Sequence, residues 1–168
     1  YVHLPYIVNP EESYPDYIYE SGVTVGLRTH FDQVAKEIVG DYVTPEGSLV
    51  VDLGSNDGSM LASFKRLGMR IVGVEPASSI AMHANESGLT TINAFFTDEV
   101  AGQILDAFGS ASVVSANYMY ANVDDVIGFT ENVAKLLSPD GIFVVQTGYH
   151  PEQMKINMFD YIYHEHFS

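Results

Sequence analysis

Apolar residues along this chain recur at two different spacings, and the alternation between them predicts the fold. From about Thr29 they recur every three or four positions, as on the buried face of a helix. The residues on this face are Phe31, Val34, Ala35, Ile38, Val39 and Tyr42. After the turn-forming run TPEG at 44–47, short β-branched runs alternate with helical stretches. Strands and helices that alternate in this way form βαβ units with a parallel sheet.

Five strands and four further helices follow from this alternation. The strands are predicted at 48–54, 70–76, 89–96, 112–119 and 142–149. The helices are predicted at 57–68, 78–87, 97–109 and 123–141, the last closed by the turn Ser138-Pro-Asp-Gly141. The first strand lacks polar alternation, as expected for a strand buried on both faces. The fold class is therefore α/β, a Rossmann-like parallel sheet whose ligands bind at the carboxyl ends of the strands.

The same pattern divides the chain into three parts. An irregular lead-in rich in Tyr and Pro is predicted at 1–28, the α/β domain at 29–150, and a tail at 151–168.

Charge and composition exclude several classes of partner. The chain has 22 acidic residues against 7 Lys and Arg, a formal net charge of −15, so it should repel nucleic acid and anionic membranes. No apolar run reaches the ~20 residues that a membrane span needs. The absence of cysteine excludes disulfides and thiolate metal sites. By elimination, a cytoplasmic location is expected.

The loop after the first strand, GSNDG, carries the first candidate binding residues, Gly54, Ser55, Asn56 and Gly58. The two glycines allow a tight turn, and the helix N-terminus behind them favours an anionic group. A dinucleotide fingerprint has Gly-x-Gly-x-x-Gly, but Asn56 and Ser59 occupy the later glycine positions. The loop therefore fits S-adenosylmethionine, which carries a carboxylate and no phosphate, better than NAD.

The end of the second strand supports an adenosyl ligand. Glu75, followed by Pro76, lies 21 residues after Gly54, the spacing at which an acidic side chain accepts hydrogen bonds from ribose hydroxyls. A Gly-x-x-x-Gly loop alone would indicate only an ordinary strand-to-helix turn. Loop, strand and acidic residue together favour adenosyl binding.

Two later strand ends supply weaker candidates. Asn93, Phe95 and Phe96 follow the third strand and are placed beside the adenine ring, although aromatic residues at a strand end more often belong to the core. Asn117 ends the fourth strand and is placed near the methionine end of the ligand. Both assignments follow from position in the fold.

The last ten residues, FDYIYHEHFS, place two histidines, His164 and His166, on either side of Glu165. From the residues alone this cluster is a solvated tail, a metal site or part of an active site. Histidines at i and i+2 would share one face of a strand and could bind a metal. No other histidine or acidic cluster is marked as their partner, so no metal is predicted.

Four stretches of the sequence resemble the sugar C-methyltransferases, which methylate a carbon of nucleotide-linked keto-sugars. They are VVDLGSNDGSML, GVEPASSIAMHANESGLTTINAFF, SPDGIFVVQ and MFDYIYHEHFS. The resemblance covers most of the chain, from about Tyr14 to Ser168, and the final string is its most specific part. It implies a class I methyltransferase sheet and S-adenosylmethionine as cofactor.

The resemblance also implies an acceptor site and a mechanism. A base removes the proton next to the sugar ketone, and the resulting enolate attacks the methyl group. Tyr163, Glu165 and His166 match the family residues that line the sugar site, with His166 as the base. Imidazole suits this role because it titrates near neutral pH. A tyrosine of the lead-in approaches the site in this family, and Tyr17 or Tyr19 is the match.

The chain departs from the family in three respects. Family members usually carry an N-terminal zinc domain with cysteine ligands, which this sequence lacks. They usually continue past the H-E-H string into further strands and a C-terminal domain. They also tend to have a histidine after the fourth strand, where this chain has Asn122, which cannot act as an acid or a base.

These departures leave alternatives open. A methyltransferase sheet normally has seven strands, so a sheet truncated to about five would expose its fifth strand, which predicts a homodimer. A monodisperse monomer in light scattering would contradict that prediction. The chain is either a C-methyltransferase or a non-catalytic module that binds S-adenosylmethionine without an acceptor site.

Overall fold

A computed structural model describes residues 9, 18–42 and 45–158. Within them the helices are α1 (Leu27–Asp41), α2 (Ser59–Arg66), α3 (Ser78–Glu86), α4 (Asp98–Phe108), α5 (Val126–Leu136) and α6 (His150–Lys155). The strands are β1 (Leu49–Leu53), β2 (Arg70–Val74), β3 (Thr91–Ile92), β4 (Ala111–Asn117) and β5 (Leu137–Gln146). Two short 3₁₀ turns, Ser21–Val23 and Tyr120–Asn122, precede α1 and α5.

The described strands form one parallel sheet in the order β3-β2-β1-β4-β5. The predicted α/β fold with five parallel strands is therefore confirmed. The chain order reverses between β1 and β4, which makes their carboxyl ends the topological switch point where such sheets bind ligands. β5 lies at one edge of the sheet and β3 at the other.

Helices cover both faces of the sheet, which is why every residue of β1 except Asp52 is apolar. Leu49, Val51 and Leu53 pack with residues of α4 and α5 on one face. Val50 points to the other face and joins the core formed with α1 and α2. All five residues of β1 are buried.

Helix α1 begins two residues before the predicted start, and its buried face is narrower than the sequence suggests. Phe31, Ala35 and Ile38 are buried as predicted. The prediction for Tyr42 is wrong: it lies just beyond the last helical residue and its surface is 61% exposed.

The third strand is much shorter than the predicted 89–96. The side chain of Asn85 accepts a hydrogen bond from the Thr91 amide (3.0 Å) and donates one to the Thr91 carbonyl (2.8 Å). Asn93 then turns its side chain back to the end of β2. The Asn93 side chain occupies the Glu75 carbonyl, and the Ala94 amide bonds the Ile92 carbonyl (3.1 Å), so neither group continues the ladder between β2 and β3.

The last strand begins earlier and ends earlier than the predicted 142–149. β5 starts at Leu137, directly after α5, and pairs with Ala111. The ladder then resumes at Ile142 opposite Val113, so the predicted turn at 138–141 is an irregularity within the strand. The strand ends at Gln146, and α6 occupies part of the segment predicted as a tail.

None of the described helices is long and apolar enough to cross a membrane.

Candidate functional site

The face of the sheet that packs on α1 and α2 changes from apolar to polar toward the carboxyl ends of the strands. On β1, Asp52 follows Val50 on this face, and on β4, Ser115 and Asn117 follow Val113. Asp52 and Ser115 are register partners. The change places buried polar groups at the switch point, where the sequence predicts ligand binding.

Asp52 is the most perturbed acid of the described residues. Its Oδ1 accepts hydrogen bonds from Ser115 Oγ (2.6 Å) and Asn117 Nδ2 (3.1 Å), while Oδ2 has no partner there. Burial raises the pKa of Asp52 to about 7 although these two hydrogen bonds favour the ionised form, and the Glu75 carboxylate raises it further. A carboxylate with one free oxygen in such a setting is suited to binding a cationic group.

Glu75 holds the loop that joins β1 to α2. Its Oε2 accepts a hydrogen bond from the Asn56 amide (2.9 Å), and its Oε1 accepts one from the Ala77 amide (2.8 Å). Burial raises the pKa of Glu75, although both amides favour its ionised form. Because a carboxylate oxygen can accept two hydrogen bonds, each still has capacity for a ligand hydroxyl.

We expect Glu75→Gln to weaken adenosyl binding and to lower stability. The amide keeps one acceptor oxygen, so one of the two backbone N–H groups loses its partner at a cost of about 1–3 kcal/mol. The free energy of unfolding from urea denaturation and the S-adenosylhomocysteine Kd from calorimetry measure the two effects. The matched control is Glu86→Gln at an exposed position of α3, where neither quantity should change; unchanged values for Glu75→Gln would contradict the role.

The two glycines of this loop lie where the loop touches its neighbours. Gly54 has φ +68°, and a Cβ there would lie 2.9 Å from Met119 Cγ. Gly58 has φ +76°, and a Cβ there would lie 2.5 Å from Leu89 Cδ1. Both positions therefore need glycine for conformation and for space.

Asn56 joins the loop to the lead-in. At φ +51° its Oδ1 accepts a hydrogen bond from the Ser21 amide (2.7 Å), and its Nδ2 donates one to the Tyr19 carbonyl (2.7 Å). Beside it, Asp57 Oδ2 accepts a hydrogen bond from the Gly22 amide (2.7 Å). A dinucleotide fingerprint has glycine at the position of Asn56. The asparagine has a structural role here, because its side chain hydrogen-bonds the lead-in to this loop.

The candidate residues after β3 divide by environment. Asn93 donates to the Glu75 and Pro76 carbonyls (2.9 and 3.0 Å), so it shapes the β2–α3 turn. Phe96 packs on the core and lies 5.1 Å from the Phe129 ring, edge-on. Phe95 is 37% exposed and is the better candidate for a ligand ring.

The structure brings most of the predicted cofactor residues to one edge of the sheet. Gly54, Asn56, Glu75 and Asn117 meet around the switch point, with Tyr19 fastened above the loop. Ser55 is also there, and its buried Oγ has no hydrogen-bond partner among the described residues. The remaining predicted residues, Tyr17, Tyr163, Glu165 and His166, lie outside the described residues, and so does His164.

Sequence reasoning did not mark Asp52, Asp57 or Ser115. A signal for Asp52 was present: it is an acidic residue inside the apolar run SLVVDLG, directly before the glycine loop. The contacts of Asp57 and Ser115 join residues far apart in the chain, so no local pattern indicates them.

These residues fit an adenosyl ligand that ends in an amino acid. Glu75 at the end of β2 has acceptor capacity for ribose hydroxyls, and Asp52 on β1 has a carboxylate oxygen that no described residue occupies and that could accept from an ammonium group. The described residues contain no group of three or more His, Asp or Glu side chains arranged to hold a metal.

A methyltransferase-domain family model matches residues 28–168. Among curated proteins, C-methyltransferase NovU of Streptomyces niveus is 36% identical over 165 residues, covering 98% of this chain and 39% of NovU. A ubiquinone biosynthesis O-methyltransferase of Rhodopseudomonas palustris (strain TIE-1) is 33% identical over 106 residues, 61% of this chain and 40% of that protein. The chain thus spans about two fifths of these relatives.

Solved methyltransferases share the fold. The plantazolicin methyltransferase BpumL, solved in complex with a pentazolic analogue and SAH, aligns with a TM-score of 0.62 at 11% identity, over 86% of this chain and 55% of BpumL. DesVI of Streptomyces venezuelae aligns with a TM-score of 0.57 at 18% identity, over 74% of this chain and 52% of DesVI. The predicted class I methyltransferase type of sheet is confirmed.

Proposed function

This chain belongs to the methyltransferase-domain family, and we propose that it is an S-adenosylmethionine-dependent enzyme that methylates a carbon of a nucleotide-linked keto-sugar. S-adenosylmethionine is the cofactor and methyl donor. The observation that carries the cofactor is the pair of buried carboxylates, Asp52 and Glu75, on either side of the Gly54–Gly58 loop. The similarity to a curated C-methyltransferase over 98% of the chain supports a carbon acceptor.

Each side of the site has a defined task. Glu75 binds the ribose hydroxyls, Asp52 binds the ammonium group, and Asn117 holds Asp52 in place. When bound, S-adenosylmethionine supplies an electrophilic methyl group on a sulfonium. These assignments place the adenosine over β2 and the methionine over β1 and β4.

The acceptor chemistry rests on the family string. His166 takes the proton next to the ketone, Glu165 fixes the imidazole tautomer, and Tyr163 lines the sugar site, with Tyr17 or Tyr19 reaching it from the lead-in. The contacts of Asn56 with Tyr19 and Ser21 support this arrangement, because they fasten the lead-in beside the cofactor loop.

Two measurements test the proposal in turn. Calorimetric titration with S-adenosylmethionine and S-adenosylhomocysteine tests the cofactor half, and no binding at millimolar ligand would refute it. Incubation of the chain with S-adenosylmethionine and a nucleotide keto-sugar, followed by NMR, tests methyl transfer to carbon. Binding without turnover would favour the second candidate, a cofactor-binding module without an acceptor site.

The partner and location predictions also remain proposals. Within the described residues β5 pairs only with β4, so its outer edge supports pairing with a second copy. We expect a homodimer in light scattering, and a monodisperse monomer would contradict it. The strong negative charge supports a protein that binds neither nucleic acid nor anionic membranes. The cytoplasmic location is proposed by elimination alone.

A further inference from the structure

Three side chains form a hydrogen-bonded group at the carboxyl ends of β4 and β5. Gln146, the last residue of β5, lies with its Nε2 3.0 Å from Tyr118 Oη and 2.9 Å from His30 Nε2. His30 belongs to the first turn of α1, and Tyr118 follows β4 directly. None of the functions assigned above uses this group.

The backbone of Tyr118 is held in an unusual conformation. Its φ is +56°, a value that is rare for a bulky residue and that costs about 1–3 kcal/mol. A hydrogen bond from the Tyr118 amide to the Gln146 carbonyl (2.8 Å) holds the turn. Tyr118 is 57% exposed.

The direction of the hydrogen bond to Tyr118 leaves one donor free. Gln146 Nε2 donates to Tyr118 Oη, while His30 Nε2 lies within hydrogen-bond distance of both Gln146 Nε2 (2.9 Å) and Gln146 Oε1 (3.3 Å). The hydroxyl proton of Tyr118 has no acceptor among the described residues. Donation to Tyr118 Oη also makes its own O–H a stronger donor.

The position of the group assigns it to the acceptor side. Along the sheet, Glu75 follows β2, Asp52 lies on β1, Asn117 ends β4 and Gln146 ends β5. Asn117 and Gln146 are register partners, and Asn117 contacts Asp52. The group therefore lies beyond the proposed methionine end, on the side away from the ribose.

We propose that Tyr118 is a catalytic hydrogen-bond donor to the carbonyl oxygen of the methyl acceptor, and that Gln146 positions it. This rests on the proposed function. When the base removes the proton next to the ketone, the C–H electron pair becomes the C=C bond and the carbonyl π pair moves to oxygen. The Tyr118 hydroxyl donates to this oxyanion and stabilises it.

The test separates enolate formation from methyl transfer. The chain is incubated in D2O with S-adenosylhomocysteine and a nucleotide keto-sugar, and NMR follows exchange of the proton next to the ketone. We expect Tyr118→Phe to slow this exchange about 100-fold. S-adenosylhomocysteine affinity, measured by calorimetry, should not change, because the Tyr118 hydroxyl bonds Gln146 of β5 and none of the residues assigned to the cofactor.

Two further variants sharpen the result. In Gln146→Glu the carboxylate accepts the Tyr118 hydroxyl proton, so that proton is no longer available to the substrate. We expect the exchange rate to fall about as much as in Tyr118→Phe, and to fall no further when both substitutions are combined. Tyr120→Phe is the matched control, because that hydroxyl is bonded to Thr130 Oγ1 (2.7 Å). The Tyr120→Phe variant should exchange the proton next to the ketone at the wild-type rate.

The outcomes distinguish the two levels of the proposal. If the wild-type chain exchanges the proton and Tyr118→Phe does so equally fast, the role of Tyr118 is refuted and the proposed function stands. If the wild-type chain neither exchanges nor methylates the keto-sugar, the acceptor assignment is refuted and the role of Tyr118 falls with it.

Discussion

His166→Ala is expected to lower the rate of carbon methylation by about 10²–10⁴-fold, the contribution of a positioned general base. Alanine has no group that can take the proton next to the ketone. The affinity for S-adenosylmethionine should stay the same, because the cofactor residues lie at the carboxyl ends of β1, β2 and β4. NMR assay of the methylated sugar and calorimetry with the cofactor measure the two quantities.

The neighbouring histidine supplies a matched control. His164→Ala removes an imidazole from the same string but leaves the Tyr-x-Glu-His residues intact, so it should retain most of the activity. Equal losses in the two variants would show that the string acts as structure and not through one base. Full activity of His166→Ala would remove that residue from the mechanism.

Asp52→Asn is expected to weaken S-adenosylmethionine binding about 100-fold, or ~3 kcal/mol, because the ammonium group loses a charged hydrogen-bond acceptor. Ser115→Ala is the comparison variant: it keeps the carboxylate and removes one of its donors. It should lose much less affinity. Calorimetric titration at pH 8, where Asp52 is ionised, compares the three proteins, and equal affinities would contradict the role of Asp52.

The same substitution is expected to increase stability at high pH. The pKa of Asp52 is about 7 in the folded chain against 3.8 for a free aspartate, so the folded state holds the proton longer than the unfolded state. The contribution of Asp52 to the free energy of unfolding is greatest below about pH 4. It falls by about 1.4 kcal/mol per pH unit between pH 4 and pH 7, and it is constant above that. Asp52→Asn lacks this loss and should be more stable at pH 8.

Urea denaturation of both proteins between pH 5 and pH 8 checks the sign. From pH 5 to pH 8, the free energy of unfolding of Asp52→Asn should rise relative to that of the wild type by about 3 kcal/mol, because the pKa of Asp52 lies near 7. Other carboxylates contribute equally to both proteins and cancel. Parallel curves would show that Asp52 ionises in the folded chain as it does in the unfolded one.

Local sequence was sufficient to predict the elements that form one βαβ unit. The apolar run of β1, the glycines after it and the acid at the end of β2 lie within one βαβ unit, and each was found where predicted. The length of β3 could not be predicted, because it depends on the Asn93 side chain taking the carbonyl of Glu75, 18 residues earlier in the chain. The irregular start of β5 depends in turn on pairing with Ala111.

The residues of the site were predictable where they lie in a local loop, and were not predictable where their roles depend on contacts between distant parts of the chain. Gly54, Gly58 and Glu75 follow from known loop chemistry, whereas the role of Asn56 depends on contacts with residues 35 and 37 positions earlier. Asp52 lies within a run whose pattern predicts a strand buried on both faces. That pattern does not distinguish a buried acid with a binding role from the other buried residues of the strand. Its partners Ser115 and Asn117 become visible only when β4 is placed beside β1.

The switch from apolar to polar residues on one sheet face constrains how this protein can be altered. Asp52 and Ser115 are separated from the core residues Val50 and Val113 by only two positions. A one-residue slip would send the polar groups to the opposite face, so changes within the strands put folding at risk together with binding. Mutant libraries aimed at new acceptors therefore belong in the segment at 119–123, which follows β4 and Tyr118, and in the segment at 147–149, which follows β5.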